Sequence, residues 1–393
     1  MAKSWAMLAL ATAALFSTAR AACVDIDQYL DIPSPMTGDV EINLDAVDTI
    51  ACVEIEEAGE SNANLLETVT VDGGTLTLKS ANNVRFVDIA FTVINGGHLV
   101  FDMPKTKFGP NNEGQHREAY GSSTVRVEEG ASVTFEGQVV AKEVTNTWSL
   151  FRNAGSMEFK KRVLFQDGGM VLSENSGVVK FRGDATFKHN RYYSLENIGS
   201  AYVRFSKDAI FDDNAFNLDG AAGCSVVNQD TSRIIFRGES TFMNNNCREA
   251  AAVLNEGDMT FYGKAYFNNN EGENHGAGLR NHAGSITFKA AAQFNNNNAD
   301  FEYSGGGLYV RGGDVVFNKA VTFDGNRADS GSAFAIDGGS LTFKNPEKVT
   351  SRNAITYDNE FSNDMNCTFG DVSDEGTLIG FSGDDVCVPA ATA

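Results

Sequence analysis

Beyond its first residues the sequence has no long hydrophobic run, and basic residues are in a clear minority. No later stretch reaches the ~20 apolar residues that a membrane-spanning helix requires. Lys and Arg number 31 against 52 Asp and Glu, so the formal net charge is −21 and the pI is near 4.6. An acidic surface of this kind disfavours nucleic acid and anionic membranes as partners. We therefore expect no transmembrane segment and no nucleic acid partner.

The sequence also lacks the motifs that mark common catalytic and cofactor sites. There is no Ser-His-Asp set, no phosphate-binding glycine loop and no Cys-x-x-Cys pair. His275 and His282 lie seven residues apart without a third ligand, which argues against a metal site. We predict no cofactor and no metal site.

What the sequence does contain is a repeat, clearest between residues 257 and 343. Each unit starts with a glycine followed four residues later by phenylalanine, as in Gly257-Asp-Met-Thr-Phe261. A second phenylalanine and an asparagine follow, as in Phe267-Asn-Asn-Asn270. In each copy, apolar residues expected to point inward alternate with residues expected to point outward. This period of two residues is that of a β-strand. The unit therefore predicts short strands separated by turns rich in Gly and Asn.

Tracing the unit backwards gives eleven anchor positions, each an apolar residue that closes the first strand of a unit. Most successive anchors are 22 to 31 residues apart, with one gap of 34, and such a period is typical of a solenoid. One unit cannot bury its own phenylalanine, whereas stacked units can. We predict an all-β fold, a right-handed parallel β-helix of about 10–11 coils, with the handedness taken from analogy with known β-helices. The anchors are Leu78, Phe101, Phe135, Phe159, Phe181, Phe205, Phe236, Phe261, Phe288, Phe317 and Phe343.

An asparagine recurs three residues after the second phenylalanine of the unit. Asparagine tolerates the left-handed backbone of turns, and its amide can bond to the copy in the next coil. We therefore predict a side-chain amide ladder in these turns. Its members are Asn190, Asn214, Asn245, Asn270, Asn297 and Asn326.

Residues 1–21 predict a signal peptide, so the mature chain is expected to be secreted. Lys3 supplies a positive start, residues 6–16 are mostly apolar, and Ala19-Arg-Ala21 fits a cleavage site. We then expect an N-terminal cap at residues 22–70, the parallel β-helix at 71–344 and a C-terminal cap or tail at 345–393. Caps are needed because the end coils would otherwise present open strand edges.

Six cysteines in an exported chain predict disulfide bonds, although six cysteines allow fifteen pairings. Proximity along the chain favours three pairs, two of which would stabilise the terminal caps. These pairs are Cys23 with Cys52, Cys224 with Cys247, and Cys367 with Cys387.

Two recurring motifs resemble those of a known family. Phe323-Asp-Gly-Asn326 and Gly305-Gly-Gly-Leu308 are similar to the FxxN and GGA(I/L/V) repeats of polymorphic outer membrane proteins. The resemblance covers residues 155–343 well and 78–155 loosely. It implies a β-helix of the pectin-lyase-like kind and, through that family's surface adhesins, a role in adhesion.

The residue just after each anchor should face outward, and this column is rich in basic residues. In a chain with so many acids, stacked cations predict a track for an extended anionic polysaccharide. The alternative is that the long side chains cover apolar surface and offset nearby carboxylates. The predicted ligand-binding residues are Lys160, Arg182, Arg237, Lys289 and Lys344.

Several acidic residues raise the alternative of an enzyme. Asp212-Asp213 resembles the paired acids of polygalacturonase-like hydrolases, although the companion motifs are missing. Glu174, Glu196 and Glu256 recur near the third strand, where clustered carboxylates could hold calcium in a pectate-lyase-like site. Solvated turn residues are the competing explanation for all of them.

Three classes of function follow from these observations. The favoured one is a secreted, non-catalytic structural or adhesive protein of the cell wall, extracellular matrix or cell surface, with extracellular polysaccharide as its partner. The alternative is a polysaccharide-active enzyme, a lyase, hydrolase or epimerase, because the pectin-lyase-like fold supports such enzymes. The third is a soluble module that binds a surface protein.

Overall fold

The computed structural model shows a parallel β-solenoid of about nine turns. It describes residues 39–44, 49–51, 67–87, 89–109, 124–142, 149–168, 171–190, 193–214, 225–247, 252–300, 303–329, 331–352, 370–372 and 376–379. The predicted signal peptide and five of the six cysteines lie outside these residues, and only the backbone of Cys247 is described. The predicted disulfide bonds and most of the two caps therefore also lie outside them.

Each coil of the solenoid contributes one strand to each of three sheets, which we name A, B and C in chain order. Neighbouring strands within each sheet pair in parallel, as in the register of Phe236 with Phe261. Sheet A contains Asp39–Asn43, Thr75–Lys79, His98–Asp102, Ser132–Phe135, Ser156–Phe159, Val178–Phe181, Tyr202–Phe205, Arg233–Phe236, Asp258–Phe261, Ser285–Phe288, Asp314–Phe317, Gly339–Phe343 and Gly376–Ile379.

Sheets B and C are built in the same way from the second and third strands of each coil. Sheet B contains Thr49–Ala51, Val84–Val87, Lys105–Phe108, Gln138–Lys142, Val163–Gln166, Ala185–Lys188, Ala209–Asp212, Ser240–Met243, Ala265–Asn268, Ala292–Asn295, Val321–Asp324 and Val349–Arg352. Sheet C contains Glu67–Asp72, Ile89–Ile94, Val125–Val127, Phe151–Asn153, Val171–Ser173, Leu195–Asn197, Val226–Asn228, Val253–Asn255, Leu279–Asn281, Leu308–Val310, Phe334–Ile336 and Gly370–Val372. A small fourth sheet joins Asn246–Cys247, Glu271–Gly272 and Asn298–Ala299, and a 3-10 helix spans Pro346–Lys348.

The predicted column of anchors is confirmed as a continuous internal stack at the end of the sheet A strands. The rings of Phe236 and Phe261 lie 4.8 Å apart and within 3° of parallel. Those of Phe288 and Phe317 lie 4.5 Å apart. Leu78 continues the column, since it pairs in register with Phe101. Burial of each phenylalanine contributes roughly 1.5 to 3 kcal/mol, so this stack is a main source of stability.

From Phe187 to Phe323 the second phenylalanine of each unit forms a parallel ladder on sheet B. Phe242 and Phe267 lie 4.9 Å apart with planes at 8°. The two ladders meet edge to face, as between Phe236 and Phe242 at 5.8 Å and 84°. Offset-stacked and edge-to-face geometries are the favourable ones for aromatic pairs. The two columns therefore fill one core from both sides.

The predicted asparagine ladder is also confirmed, and its members are buried. Asn270 Nδ2 donates to Asn297 Oδ1 at 2.8 Å and to the carbonyl of Phe242 at 3.1 Å. Asn270 Oδ1 accepts from the backbone N–H and the side-chain amide of Asn245 at 3.1 and 2.8 Å. Each amide thus bonds to the coils on both sides of it, so the ladder fixes the spacing of the turns.

The left-handed backbone is not at the ladder asparagines, as the sequence had suggested, but one residue earlier. Asn244, Asn269 and Asn296 have φ of 56°, 54° and 54°. At these residues the left-handed backbone turns the chain at the corner of the coil. The side chain of the next residue then points inward into the ladder. One position therefore adopts the left-handed backbone, and the next position forms the amide hydrogen bonds of the ladder.

A second buried asparagine ladder, not predicted from the sequence, lies at the last residue of successive sheet C strands. Asn197, Asn228 and Asn255 each donate from Nδ2 to Oδ1 of the next member at 2.8 Å, and Asn281 receives the last of these bonds. The sequence signal is an asparagine two residues after a large apolar residue, as in Leu279-Arg-Asn281. The coils are therefore tied together at two corners.

Glycines allow close approach in the turns from sheet A to sheet B. A Cβ on Gly263 would lie 1.9 Å from the carbonyl oxygen of Gly238. Successive coils at this corner therefore stack backbone on backbone. This close stacking keeps the residues just before the glycines, Arg237 and Tyr262, in adjacent positions on the surface.

Candidate anion-binding site

The predicted basic column does stack on successive coils in the turn after sheet A. The backbone N–H of each residue donates to the anchor carbonyl one coil earlier, as from Lys160 to Phe135 at 3.0 Å and from Lys289 to Phe261 at 2.7 Å. All five predicted residues, Lys160, Arg182, Arg237, Lys289 and Lys344, are exposed. The column is thus a surface feature of one corner of the solenoid.

Two of the five cations are already compensated by carboxylates. Lys160 Nζ lies 2.7 Å from Glu136 Oε1, and this hydrogen bond raises the pKa of the lysine. Arg182 Nε lies 2.6 Å from Glu158 Oε1. At these two positions the column offers paired charges, as the alternative interpretation of the sequence expected.

The remaining three cations are not contiguous. The Arg237 guanidinium lies 5.1 Å from the centre of the Tyr262 ring, a cation–π distance. Asn318 separates Lys289 from Lys344, and its amide donates to the carbonyl of Phe288 at 3.1 Å. The column therefore does not form an unbroken track of free positive charge.

Sheet A itself contributes further cations beside the column, which the sequence analysis missed. Lys180 pairs in register with Arg204 on the next strand. Arg233 opens the strand after that, and Arg237 follows its end. We name Lys180, Arg204, Arg233 and Arg237 the central basic patch. The patch covers three consecutive strands of sheet A.

The four cations of the central basic patch form no ion pair with another described residue. Lys180 and Arg204 are half-buried, whereas Arg233 and Arg237 are exposed. The patch therefore concentrates uncompensated positive charge in a chain of net charge −21. Such a local field attracts anions even when the whole molecule is acidic.

Acidic residues border the patch at both ends. On the strand before it, Glu158 lies in register with Lys180 and is bound by Arg182. On the strand after it, Asp258 lies in register with Arg233 and accepts a hydrogen bond from Ser285 Oγ at 2.6 Å. On sheet A, the positive charge of the patch is thus bounded by a carboxylate on the strand at either side.

Two buried polar atoms within or beside the patch lack hydrogen-bond partners among the described residues. They are Arg204 Nε and Ser206 Oγ, and both are shielded from water. Leaving a buried polar atom unpaired costs about 1–3 kcal/mol, so such atoms are uncommon in folded proteins. Because these two atoms are shielded from solvent, it is the clustering of four cations that makes this part of sheet A the candidate site.

The paired acids Asp212 and Asp213 are occupied by local partners at the end of sheet B. Asp212 Oδ2 lies 3.0 Å from Lys188 Nζ, and its Oδ1 accepts from Asn244 Nδ2 at 2.9 Å. Asp213 Oδ2 lies 2.7 Å from His189 Nε2. The two carboxylates bind different groups, so they form the hydrogen bonds of a turn rather than a pair directed at one substrate atom.

The recurring glutamates in and just after the sheet C strands have different bonding partners. Glu174 forms a two-pronged pair with Arg152 at 2.7 and 3.1 Å. Glu256 lies 2.7 Å from His282 Nδ1. Burial raises the pKa of Glu196, and the charge of Glu174 raises it further. The three residues therefore serve different local contacts.

Glu196 gives a testable pH dependence of stability. Because its folded pKa is raised, protonated Glu196 contributes stability that is present at acid pH and is lost as the pH rises through the folded pKa. Glu196→Gln stays neutral, so the variant should gain stability relative to the wild type as the pH increases from about 4 to 7. Urea unfolding at several pH values measures this, with Glu129→Gln at an exposed turn as the control. A difference that stays constant with pH would contradict the expectation.

The two histidines considered for a metal site have separate partners. His275 Nδ1 accepts from the backbone N–H of Ser304 at 2.9 Å, and its ring stacks on Tyr309 at 4.4 Å. Burial lowers the pKa of His275, and burial together with Asp337 raises the pKa of Tyr309 to about 12. Both rings are thus neutral near pH 7. Within the described part of the chain no group of three or more His, Cys, Asp or Glu is arranged to hold a metal ion.

Comparison with known proteins adds no further identification. In the described ranges, none of the helices has the length and apolarity to cross a membrane. Neither a family model, nor a curated protein, nor a solved structure matches this chain. The resemblance to the polymorphic outer membrane protein repeats therefore stays a prediction, and the chain is identified as a parallel β-solenoid with asparagine and phenylalanine ladders.

Proposed function

We propose that this chain is a secreted, non-catalytic structural or adhesive protein of the cell wall, extracellular matrix or cell surface that binds anionic polysaccharide on sheet A. The observation that supports the proposal is the central basic patch, four uncompensated cations on three adjacent strands of an acidic chain. A rigid rod with a charged face suits attachment to an extended polymer.

The chemistry of the patch suits sulfate or carboxylate groups. Three of its four members are arginines, and a guanidinium can donate two parallel hydrogen bonds to one oxyanion. Arg237 is held against Tyr262, which is 43% exposed and offers an aromatic surface beside the charge. An oxyanion bound at Arg204 would also compensate a guanidinium that is already partly removed from water.

Binding of anionic polymers tests the proposal. The secreted protein should bind a sulfated polysaccharide and a polyuronate, and its affinity should fall by about tenfold or more between about 0.05 and 0.3 M salt, because the contacts are ionic and exposed. A neutral polysaccharide provides the control. Equal retention on neutral and anionic polymers would overturn the proposal, and the appearance of shorter fragments in the same incubations would identify an enzyme instead.

Three finer expectations belong to this proposal. The right-handed winding, the disulfide-stabilised caps and the kinship with secreted FxxN-repeat proteins all suit an exported rod. Because disulfide bonds would stabilise the caps, reducing them should lower the thermal unfolding temperature of the protein.

A further inference from the structure

We infer that the central basic patch recognises a short, densely charged segment of an anionic saccharide chain rather than a long chain that runs along the rod. The inference deepens the proposed function and rests on it. It names the length and the charge density of the ligand and places the contact on three coils of sheet A.

The arrangement of the patch is compact and extends across the strands. Arg233 and Arg237 lie at opposite ends of one coil's strand, four residues and so roughly 13 Å apart along the backbone. From the middle of that strand, Arg204 and then Lys180 continue over the two preceding strands, at intervals of ~4.8 Å. The four cations therefore form a T on the surface, with Arg233 and Arg237 at the ends of the bar and Arg204 and Lys180 along the stem. This arrangement suits a ligand that carries several oxyanions close together.

The charge does not continue along the rod in either direction. Toward the N-terminus, Lys160 and Arg182 are bound by Glu136 and Glu158. Toward the C-terminus, Tyr262 follows Arg237 in the column, and Asp258 follows Arg233 on sheet A. A long polyanion lying along the axis would meet a carboxylate or an uncharged side chain at the edge of the patch. The favourable contacts are thus limited to about three coils.

Two double variants separate this patch from the rest of the basic column. Arg204→Gln with Arg233→Gln removes two charges from the patch. Lys289→Gln with Lys344→Gln removes the same charge from exposed positions of the column outside the patch. The two proteins have the same net charge, so a nonspecific attraction would weaken equally in both.

Binding is measured by titration calorimetry with size-graded heparin oligosaccharides, from a disaccharide upward, on the full secreted chain. The patch variant should lose on the order of a hundredfold in affinity, about tenfold for each charged contact, whereas the column variant should lose less than about twofold. Affinity per binding site should stop increasing once the oligosaccharide covers the patch. Polygalacturonate fragments of matched length distinguish carboxylate from sulfate recognition.

Each alternative outcome has a defined meaning. Equal losses in the two double variants, or affinity per site that keeps rising with length, would overturn the inference but leave the proposed function in place. Absence of binding to every anionic saccharide would overturn both. Stronger binding to DNA than to the saccharides would also overturn the inference. Circular dichroism checks that the variants fold, and Arg204→Lys, which keeps the charge, should retain more affinity than Arg204→Gln.

Discussion

Asn270→Ala is expected to lower the free energy of unfolding by about 4 kcal/mol, because it breaks an internal hydrogen-bond ladder at its centre. The side chain is fully buried and bonds to Asn297, Phe242 and Asn245. Alanine would leave the Asn245 N–H and the Phe242 carbonyl without this partner in a region that water does not reach. Each such group costs about 1–3 kcal/mol, so several losses add up in one substitution.

Urea unfolding, monitored by circular dichroism, measures how much Asn270→Ala lowers the free energy of unfolding. Asn269→Gly is the matched control, because Asn269 is exposed and already has a φ of 54°, which glycine adopts without strain. The control should change the free energy of unfolding by less than about 0.5 kcal/mol. Similar stabilities for the two variants would show that the amide ladder does not hold the coils together.

Phe261→Ala is expected to cost a comparable amount, about 4 kcal/mol, by opening a cavity in the anchor stack. The ring is fully buried and lies 4.8 Å from Phe236 and 4.7 Å from Phe288. Both neighbours would lose one stacking partner, and the β-strand backbone on either side cannot collapse into the space. Phe261→Leu, which keeps most of the volume, should cost less, about 1.5 kcal/mol.

Thermal unfolding of Phe261→Ala, Phe261→Leu and Tyr262→Ala gives this comparison. Tyr262 is the next residue in the chain but is 43% exposed, so its loss should change the stability little. Because each coil contacts only its neighbours, hydrogen exchange should increase mainly in the adjacent strands, such as Arg233–Phe236 and Ser285–Phe288. Equal destabilisation by Tyr262→Ala would contradict the inward orientation of the anchors.

The core of the fold could be predicted because the constraint on it is local and repeated. An anchor such as Phe288 must be apolar in every coil, so it leaves a period in the sequence that survives changes in loop length. The same holds for Asn297, whose amide requires an identical partner above and below. The second ladder at Asn255 was missed because only the asparagine three residues after the second phenylalanine was followed through the repeats.

The candidate site was harder to predict, since its residues come together only through strand register. Lys180, Arg204 and Arg233 are 24 and 29 residues apart in sequence; Lys180 and Arg204 share one position of the repeat, and Arg233 occupies another. A search of the single position after each anchor finds Arg237 but not these three. The pairing of Arg182 with Glu158 is likewise a contact between coils, so paired and unpaired cations could not be distinguished from the sequence alone.

A crystal structure of the protein with a short sulfated oligosaccharide would test the central claim most directly. We expect stacked phenylalanines from Phe101 to Phe343 and sulfate oxygens within hydrogen-bond distance of Arg204 and Arg233. A saccharide bound instead along Lys289 and Lys344, or in a groove lined by carboxylates, would contradict the account.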